Sequence, residues 1–184
     1  MTMLAAFPAV SSVLIPREVR GLGAQEIAEL VFSSPDVGAN TTLEFFSDEQ
    51  FGALSRVSDL LMPPMNGRPG ALDARVPEFL DFLIGASPDD RQHVYREGVD
   101  GLNGRARMQF GSPYADIAPG QAESMLSPLG EPWTYRGPED PVALFLVTAK
   151  ADVRTATQNS LEWDQAAEAQ GGNPRRGQYW SAID

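Results

Sequence analysis

Ser47-Asp48-Glu49-Gln50 spells a capping box, in which a serine oxygen accepts from the third amide of a helix and a glutamine reaches back to the cap. Phe51, Leu54, Val57 and Leu61 then recur at helical spacing, and Pro63-Pro64 end the run. A start signal, a periodic face and a stop in so short a span leave little room for anything but a helix. The same grammar repeats downstream. After the loop Met65-Asn66-Gly67-Arg68-Pro69-Gly70, the residues Val76, Phe79, Leu80 and Leu83 form one face, with Gly85 as C-cap. Ser87-Pro88-Asp89-Asp90 opens a third helix, with Ser as cap, Pro at the first position and acids on the positive end of the dipole. Val94, Leu102 and Met108 carry it to about Phe110. A fourth helix runs from around Pro119 to near Leu129, and a Pro-rich loop from Gly130 to Pro141 holds Trp133 and Tyr135. The run Val142-Ala143-Leu144-Phe145-Leu146-Val147 alone would also suit a buried strand. It continues through Thr148-Ala149-Lys150-Ala151-Asp152 without a turn signal, which predicts a helix.

The spacing therefore predicts an all-α fold. A small helical bundle occupies residues 47–157, with Phe51, Leu54, Phe79, Leu83, Phe145 and Leu146 in its core. Residues 1–46 form an N-terminal arm, with a short helix whose face joins Leu22, Ile27, Leu30 and Val31. Residues 158–184 form an irregular aromatic C-terminal tail. Gly98, Gly101 and Gly104 interrupt the third helix at intervals of three, each costing up to ~1 kcal/mol relative to Ala. Either a neighbouring backbone packs along that stripe, or the helix breaks near Asp100-Gly101; both readings stay open.

Composition narrows the functions. A chain of 184 residues, 42% hydrophobic and 21% charged, suits one domain with tails and argues against wholesale disorder. With 14 basic against 25 acidic residues the formal charge is −11, which repels phosphates and excludes nucleic acid as a partner. Lys150 is the only lysine, so the remaining basic residues are Arg, which forks onto carboxylates or stacks on aromatic rings. A GC-rich coding bias explains the same excess. The absence of cysteine removes disulfides, thiolate catalysis and Cys-ligated metals. No stretch reaches the ~18 apolar residues that membrane insertion needs. Met1 to Ile15 is apolar like a signal core, but no basic region precedes it and Pro8 interrupts it.

The search for chemistry ends without a catalytic, cofactor-binding or metal-ligating residue. His93 is the only histidine, and Asp89, one turn earlier, could orient it as a base. A His near a helix start is more often a surface residue. Asp100-Gly101-Leu102-Asn103-Gly104 has a superficial likeness to a calcium loop but lacks alternating ligands and a closing Glu. No Gly-x-Ser-x-Gly and no Walker-type motif occurs, and Gly21-Leu22-Gly23 lacks the third glycine of a dinucleotide fingerprint. Asn40-Thr41-Thr42 matches a glycosylation acceptor at a length where chance matches are common. Trp163, Tyr179 and Trp180 sit among Gly171, Gly172, Pro174, Arg175 and Arg176, with no periodic face to bury them. Trp, Tyr and Arg are the residues enriched at interface hot spots. This predicts a partner interface at Trp163, Asn173, Arg175, Arg176, Tyr179 and Trp180. The competing reading folds the tail back over its own helices.

The order of these segments resembles the gluconate 2-dehydrogenase subunit 3 family. The resemblance rests on Phe46-Ser47-Asp48-Glu49-Gln50, Leu60 through Pro63, Arg68-Pro69-Gly70-Ala71 and Val76-Pro77-Glu78-Phe79-Leu80-Asp81-Phe82-Leu83. Gly98 to Leu102, Phe110-Gly111, Pro141 to Asp152 and Gly171-Gly172-Asn173 to Tyr179 continue it, so that it covers roughly residues 45 to 181. The resemblance implies a small, helical, noncatalytic subunit that helps a large FAD-dependent dehydrogenase of the glucose-methanol-choline (GMC) class to fold. Such a partner oxidises sugars, sugar acids or glycosides, and a c-type cytochrome often completes the complex. FAD then belongs to the partner and no cofactor to this chain. In many members a twin-arginine leader carries both subunits out of the cytoplasm, which makes the periplasm the implied compartment. Here the only Arg pair is Arg175-Arg176, near the C-terminus, so the cytoplasm is the alternative. The segments Asn159-Ser160-Leu161-Glu162-Trp163 and Gly177-Gln178-Tyr179-Trp180 look more like subunits of glucoside 3-dehydrogenases. Two readings from other classes stand beside this one: a free-standing helical module with a small ligand in a bundle cavity, and an enzyme using His93 and Asp89.

Overall fold

A computed structural model describes residues 43–132, 134–135 and 137–172. Among these residues there are six α-helices and no strand: α1 (Asp48–Leu61), α2 (Val76–Gly85), α3 (Asp89–Phe110), α4 (Pro119–Ser124), α5 (Pro141–Gln158) and α6 (Leu161–Ala169). Short 3-10 turns at Tyr114–Asp116 and Ser127–Gly130 flank α4. The all-α expectation holds. The short helix expected near Leu22 to Val31, the motif Asn40-Thr41-Thr42 and Trp133 lie outside the described residues.

Local chemistry sets most helix ends. The capping box of α1 forms as its sequence dictates: Gln50 N donates to Ser47 Oγ and Ser47 N to Gln50 Oε1. At α3 the cap is Pro88 rather than Ser87, whose hydroxyl instead donates to the Leu83 carbonyl and closes the end of α2. Gly85 is the last residue of α2, with Ala86 as its C-cap. The fourth helical segment is shorter than its sequence suggests, because α4 ends at Ser124 and the chain continues to Gly130 as turns.

The centre of the bundle is the antiparallel pair α3 and α5. Tyr95 Oη donates to Asp152 Oδ2 at 2.7 Å, and Arg91 donates to the same oxygen at 2.8 Å. Further along α3, Gly98 meets Phe145, Gly101 meets Val142, and Arg105 forks onto Asp140 at the start of α5. The partner number falls as the α3 number rises, which fixes the antiparallel sense. Helix α3 runs unbroken through Asp100-Gly101. A methyl on Gly98 would stand 2.0 Å from Phe145 Cβ, and one on Gly101 would stand 2.8 Å from Val142 Cγ2. These two glycines let a side chain of α5 lie directly on the α3 backbone, which answers their helix penalty. Gly104 has nothing within 4 Å, and no packing explains it.

Of the six predicted core residues, Leu54, Phe145 and Leu146 are fully buried, while Phe51, Phe79 and Leu83 are half-buried against the core. The inner face of α2 is Val76, Leu80 and Ile84: two members of the expected stripe, with Ile84 buried more deeply than Phe79 and Leu83. Tyr95 and Tyr114 are the largest buried side chains. The packed body also begins before the capping box. Asp81, buried on α2, accepts from the amides of Glu44, Phe45 and Phe46 at 2.6, 3.1 and 2.8 Å. That clamp seats the Phe46 ring 6.2 Å from Tyr95, and Arg96 covers Phe45 with its guanidinium 4.3 Å from the ring centre.

Residues 161–169 are a regular helix, which corrects the expectation of an irregular tail from 158 onward. Ser160 Oγ accepts from Trp163 N at 3.1 Å, and Glu162 and Asp164 lie in the first turn. The stretch Leu161 to Ala169 holds no Gly or Pro; the residues that deny a helix begin only at Gly171.

Candidate functional site

The positions with the most obvious chemistry are structural or solvated. His93 has a side chain 68% exposed, and its Nε2 pairs with Glu97 Oε2 at 3.1 Å rather than with Asp89. Asp100-Gly101-Leu102-Asn103-Gly104 is wound into α3, where Asp100 accepts from Gln50 Nε2 and buried Asn103 accepts from Tyr114 N. Its oxygens therefore cannot converge on a calcium ion as loop ligands do. Among the described residues no three His, Asp or Glu side chains stand together as a metal site. The glycines of that stretch lie inside a helix rather than at a strand-to-helix turn, so they form no cradle for a dinucleotide.

Two buried tyrosines remain. Burial, with the Asp152 carboxylate beside it, raises the Tyr95 phenol far above its ordinary value. Burial also raises Tyr114, whose hydroxyl donates to the Ala122 carbonyl. Both stay protonated at neutral pH and act as donors holding helices together, not as bases. The centre of the bundle, where a small-ligand module would need its cavity, is filled by Phe145 lying on Gly98.

The geometry that stands out lies at the opposite end of α6 from its tail. Trp163 is half-buried, and the Arg68 guanidinium lies 5.3 Å from its ring centre while donating through NH1 to the Trp163 carbonyl at 3.3 Å. Arg68 reaches this place because Asn66 and Gly67 turn the chain back in two residues. Both have left-handed backbone, at φ 53° and 71°, and Met65 and Arg68 pair across the turn. Asn-Gly is the pair most able to adopt that geometry. Gln170 Nε2 donates to the Asn66 carbonyl at 3.0 Å, so the far end of α6 is pinned to the same turn. Between the turn, the end of α1 and Trp163 lies a cavity of about 220 Å³, walled by Leu61, Met62, Pro63, Met65, Arg68 and Trp163. Met65 is 61% exposed at its rim.

A second, open depression of about 380 Å³ is lined by Glu97, Asp100, Arg105, Asp140 and Val142. There the Arg105 hydrogen bonds hold the Asp140 carboxyl below its ordinary range. That pair braces the start of α5 against α3.

Of the six predicted interface residues, Trp163 belongs to this cavity, whereas Asn173, Arg175, Arg176, Tyr179 and Trp180 lie outside the described residues. Sequence reading passed over Met65 and Arg68, which it treated as loop. The Asn66-Gly67 pair was the signal available for them, since it marks a tight reversal that presents its flanking side chains together. Asp81 had no such signal, because an acid within an apolar helix face reads as solvated surface.

Neither the curated proteins nor the solved structures yield a match to the chain. A family model described as gluconate 2-dehydrogenase subunit 3 matches residues 48–170, from the first residue of α1 to the end of α6. The match takes in the whole run of helices and the Arg68–Trp163 turn, and the chain belongs to the gluconate 2-dehydrogenase subunit 3 family, subunits of a dehydrogenase complex.

Proposed function

We propose that this chain is a noncatalytic small subunit that binds, stabilises and assists the assembly of a large FAD-dependent sugar or glycoside dehydrogenase of the GMC class. The observation that carries the reading is the family match across all six helices. The deployment of polar groups agrees with it: Tyr95 ties α3 to Asp152 of α5, Asp81 holds the segment before α1, and the one histidine is solvated. FAD and the sugar belong to the large subunit in this reading, and a c-type cytochrome is a further candidate member of the complex. A ligand that binds only the folded partner stabilises it by mass action, by about 2.7 kcal/mol at a hundredfold excess over its Kd. That is how a small helical subunit can raise the yield of a large one without performing chemistry. The interface is assigned to Trp163 and to the segment carrying Asn173, Arg175, Arg176, Tyr179 and Trp180.

The test is co-expression with a large flavoprotein dehydrogenase from the same genome. The purified small chain should be colourless and should reduce no dye with glucose or a glycoside. The large subunit should co-purify with it and unfold at a higher temperature in its presence. A yellow, active small chain would overturn the noncatalytic assignment, and a large subunit indifferent to it would overturn the assembly role.

A further inference from the structure

We propose that the cavity between the Met65–Arg68 turn and Trp163 receives a segment of the large dehydrogenase subunit that seats a bulky apolar side chain in the cup and a carboxylate on Arg68. This rests on the accessory-subunit reading and adds to it the place and chemistry of docking. The walls Leu61, Met62, Pro63 and the Trp163 ring are apolar, and Met65 stands exposed at the rim. Exposed apolar surface with a polar rim is characteristic of protein contact sites. Arg68 is the only charged residue of the lining. Among the described residues it pairs with no carboxylate. Its guanidinium is held by the Trp163 carbonyl and ring, which leaves further N–H donors pre-aimed in a fixed plane. A cation fixed beside an apolar cup selects an acidic group next to an apolar anchor.

Charge also separates the occupants. A second copy would bring together two chains of formal charge −11, and the chain's own end would set Arg175-Arg176 near Arg68. A carboxylate from a different protein meets neither repulsion.

The experiment compares the wild-type chain with Met65→Glu, Arg68→Gln and, as a control on α3, Met108→Glu, where the methionine is 81% exposed. Each is titrated against the co-expressed large subunit, and the melting temperature of each small chain is measured alone. Met65→Glu and Arg68→Gln should each weaken association by about tenfold or more, as loss of an anchor contact does, and Met108→Glu should leave it unchanged. Benzoylphenylalanine in place of Met65 should crosslink to the large subunit, which keeps the proposal testable if Met65→Glu misfolds. Wild-type association with undiminished binding by both turn variants, or with no crosslink from position 65, overturns the docking site while sparing the accessory role. No association even of the wild type overturns both. If the variants instead dissolve a dimer of this chain, or deletion of residues 173–184 and Met65→Glu lower its own melting temperature non-additively, the occupant is a second copy or the chain's own end and the proposal fails.

Discussion

Replacing Gly98 by Ala sets two well-measured effects against each other. Helix propensity favours the change, because Ala in a helix interior is up to ~1 kcal/mol better than Gly. Packing opposes it. The new methyl would lie 2.0 Å from Phe145 Cβ and 2.5 Å from its Cγ. A ring can swing about its Cα–Cβ bond, but Cβ is fixed by the backbone, so α5 itself must move away from α3. Overpacking of a tight core typically costs 1–3 kcal/mol, and here the obstruction is the least flexible kind, so the upper part of that range applies. The balance is a net loss of about 1–2 kcal/mol, or roughly 2–8 °C in melting temperature for a chain of this size. Gly104→Ala is the internal control: nothing lies within 4 Å, so the propensity gain should appear undiluted as a stabilisation of up to ~1 kcal/mol. Urea unfolding followed by circular dichroism measures both. Phe145→Ala removes Cγ but leaves Cβ, so it should relieve the Gly98→Ala penalty only in part. If Gly98→Ala were as stable as wild type, or shifted in the same direction as Gly104→Ala, the close approach of α5 to α3 would be refuted.

Asp81→Ala should leave the amides of Glu44, Phe45 and Phe46 without acceptors, costing about 2–4 kcal/mol and removing hydrogen-exchange protection from those three positions first. Unchanged protection there would refute the clamp. Tyr95→Phe keeps the ring but takes a donor from Asp152, and should cost about 1–3 kcal/mol in urea unfolding; a neutral result would mean Arg91 alone satisfies that carboxylate. Asp140 has a lowered pKa in the folded state, so its contribution is present above the unfolded value of 3.8 and is lost as pH falls through the folded one. Because the Arg105 and Asp140 side chains are 41% and 38% exposed, the pair contributes only ~0–1 kcal/mol. Melting curves of wild type and Asp140→Asn should converge as pH falls below the unfolded value and through the folded one, and a gap that widens on acidification would show the sign to be wrong.

What could be read from the sequence follows from the range of the forces involved. The α1 capping box involves residues within one turn of one another, and it formed atom for atom. The helix over 142–152 was legible because nothing interrupts it, and the neighbouring chain only had to accept it. The stripe Gly98, Gly101 and Gly104 was ambiguous for a definite reason: whether such a helix breaks depends on Phe145, more than forty positions away. The α2 face was read in part: Val76 and Leu80 are buried as expected, but Ile84 and Asp81 share the buried side, and the reach of Asp81 to Glu44–Phe46 is a contact that no periodicity predicts. At the candidate site, Trp163 could be singled out by residue type alone. Its companions Met65 and Arg68 could not, since they meet it only after a turn some 95 positions away has folded.

The distribution of charge in the body bears on what such a subunit can do. Arg91 is engaged by Asp152, Arg105 by Asp140, Arg107 by Glu49, and Arg96 lies over Phe45. Each of these cations holds one element of the bundle against another. Arg68 is engaged as well, but by a carbonyl and a ring, which position its guanidinium, and among the described residues no carboxylate neutralises it. A held but unneutralised cation has lost its side-chain entropy in advance, so a carboxylate that docks on it bears less of the ordering cost. In the docking proposed above, that is the advantage Arg68 beside exposed Met65 would give to an acidic group of the large subunit.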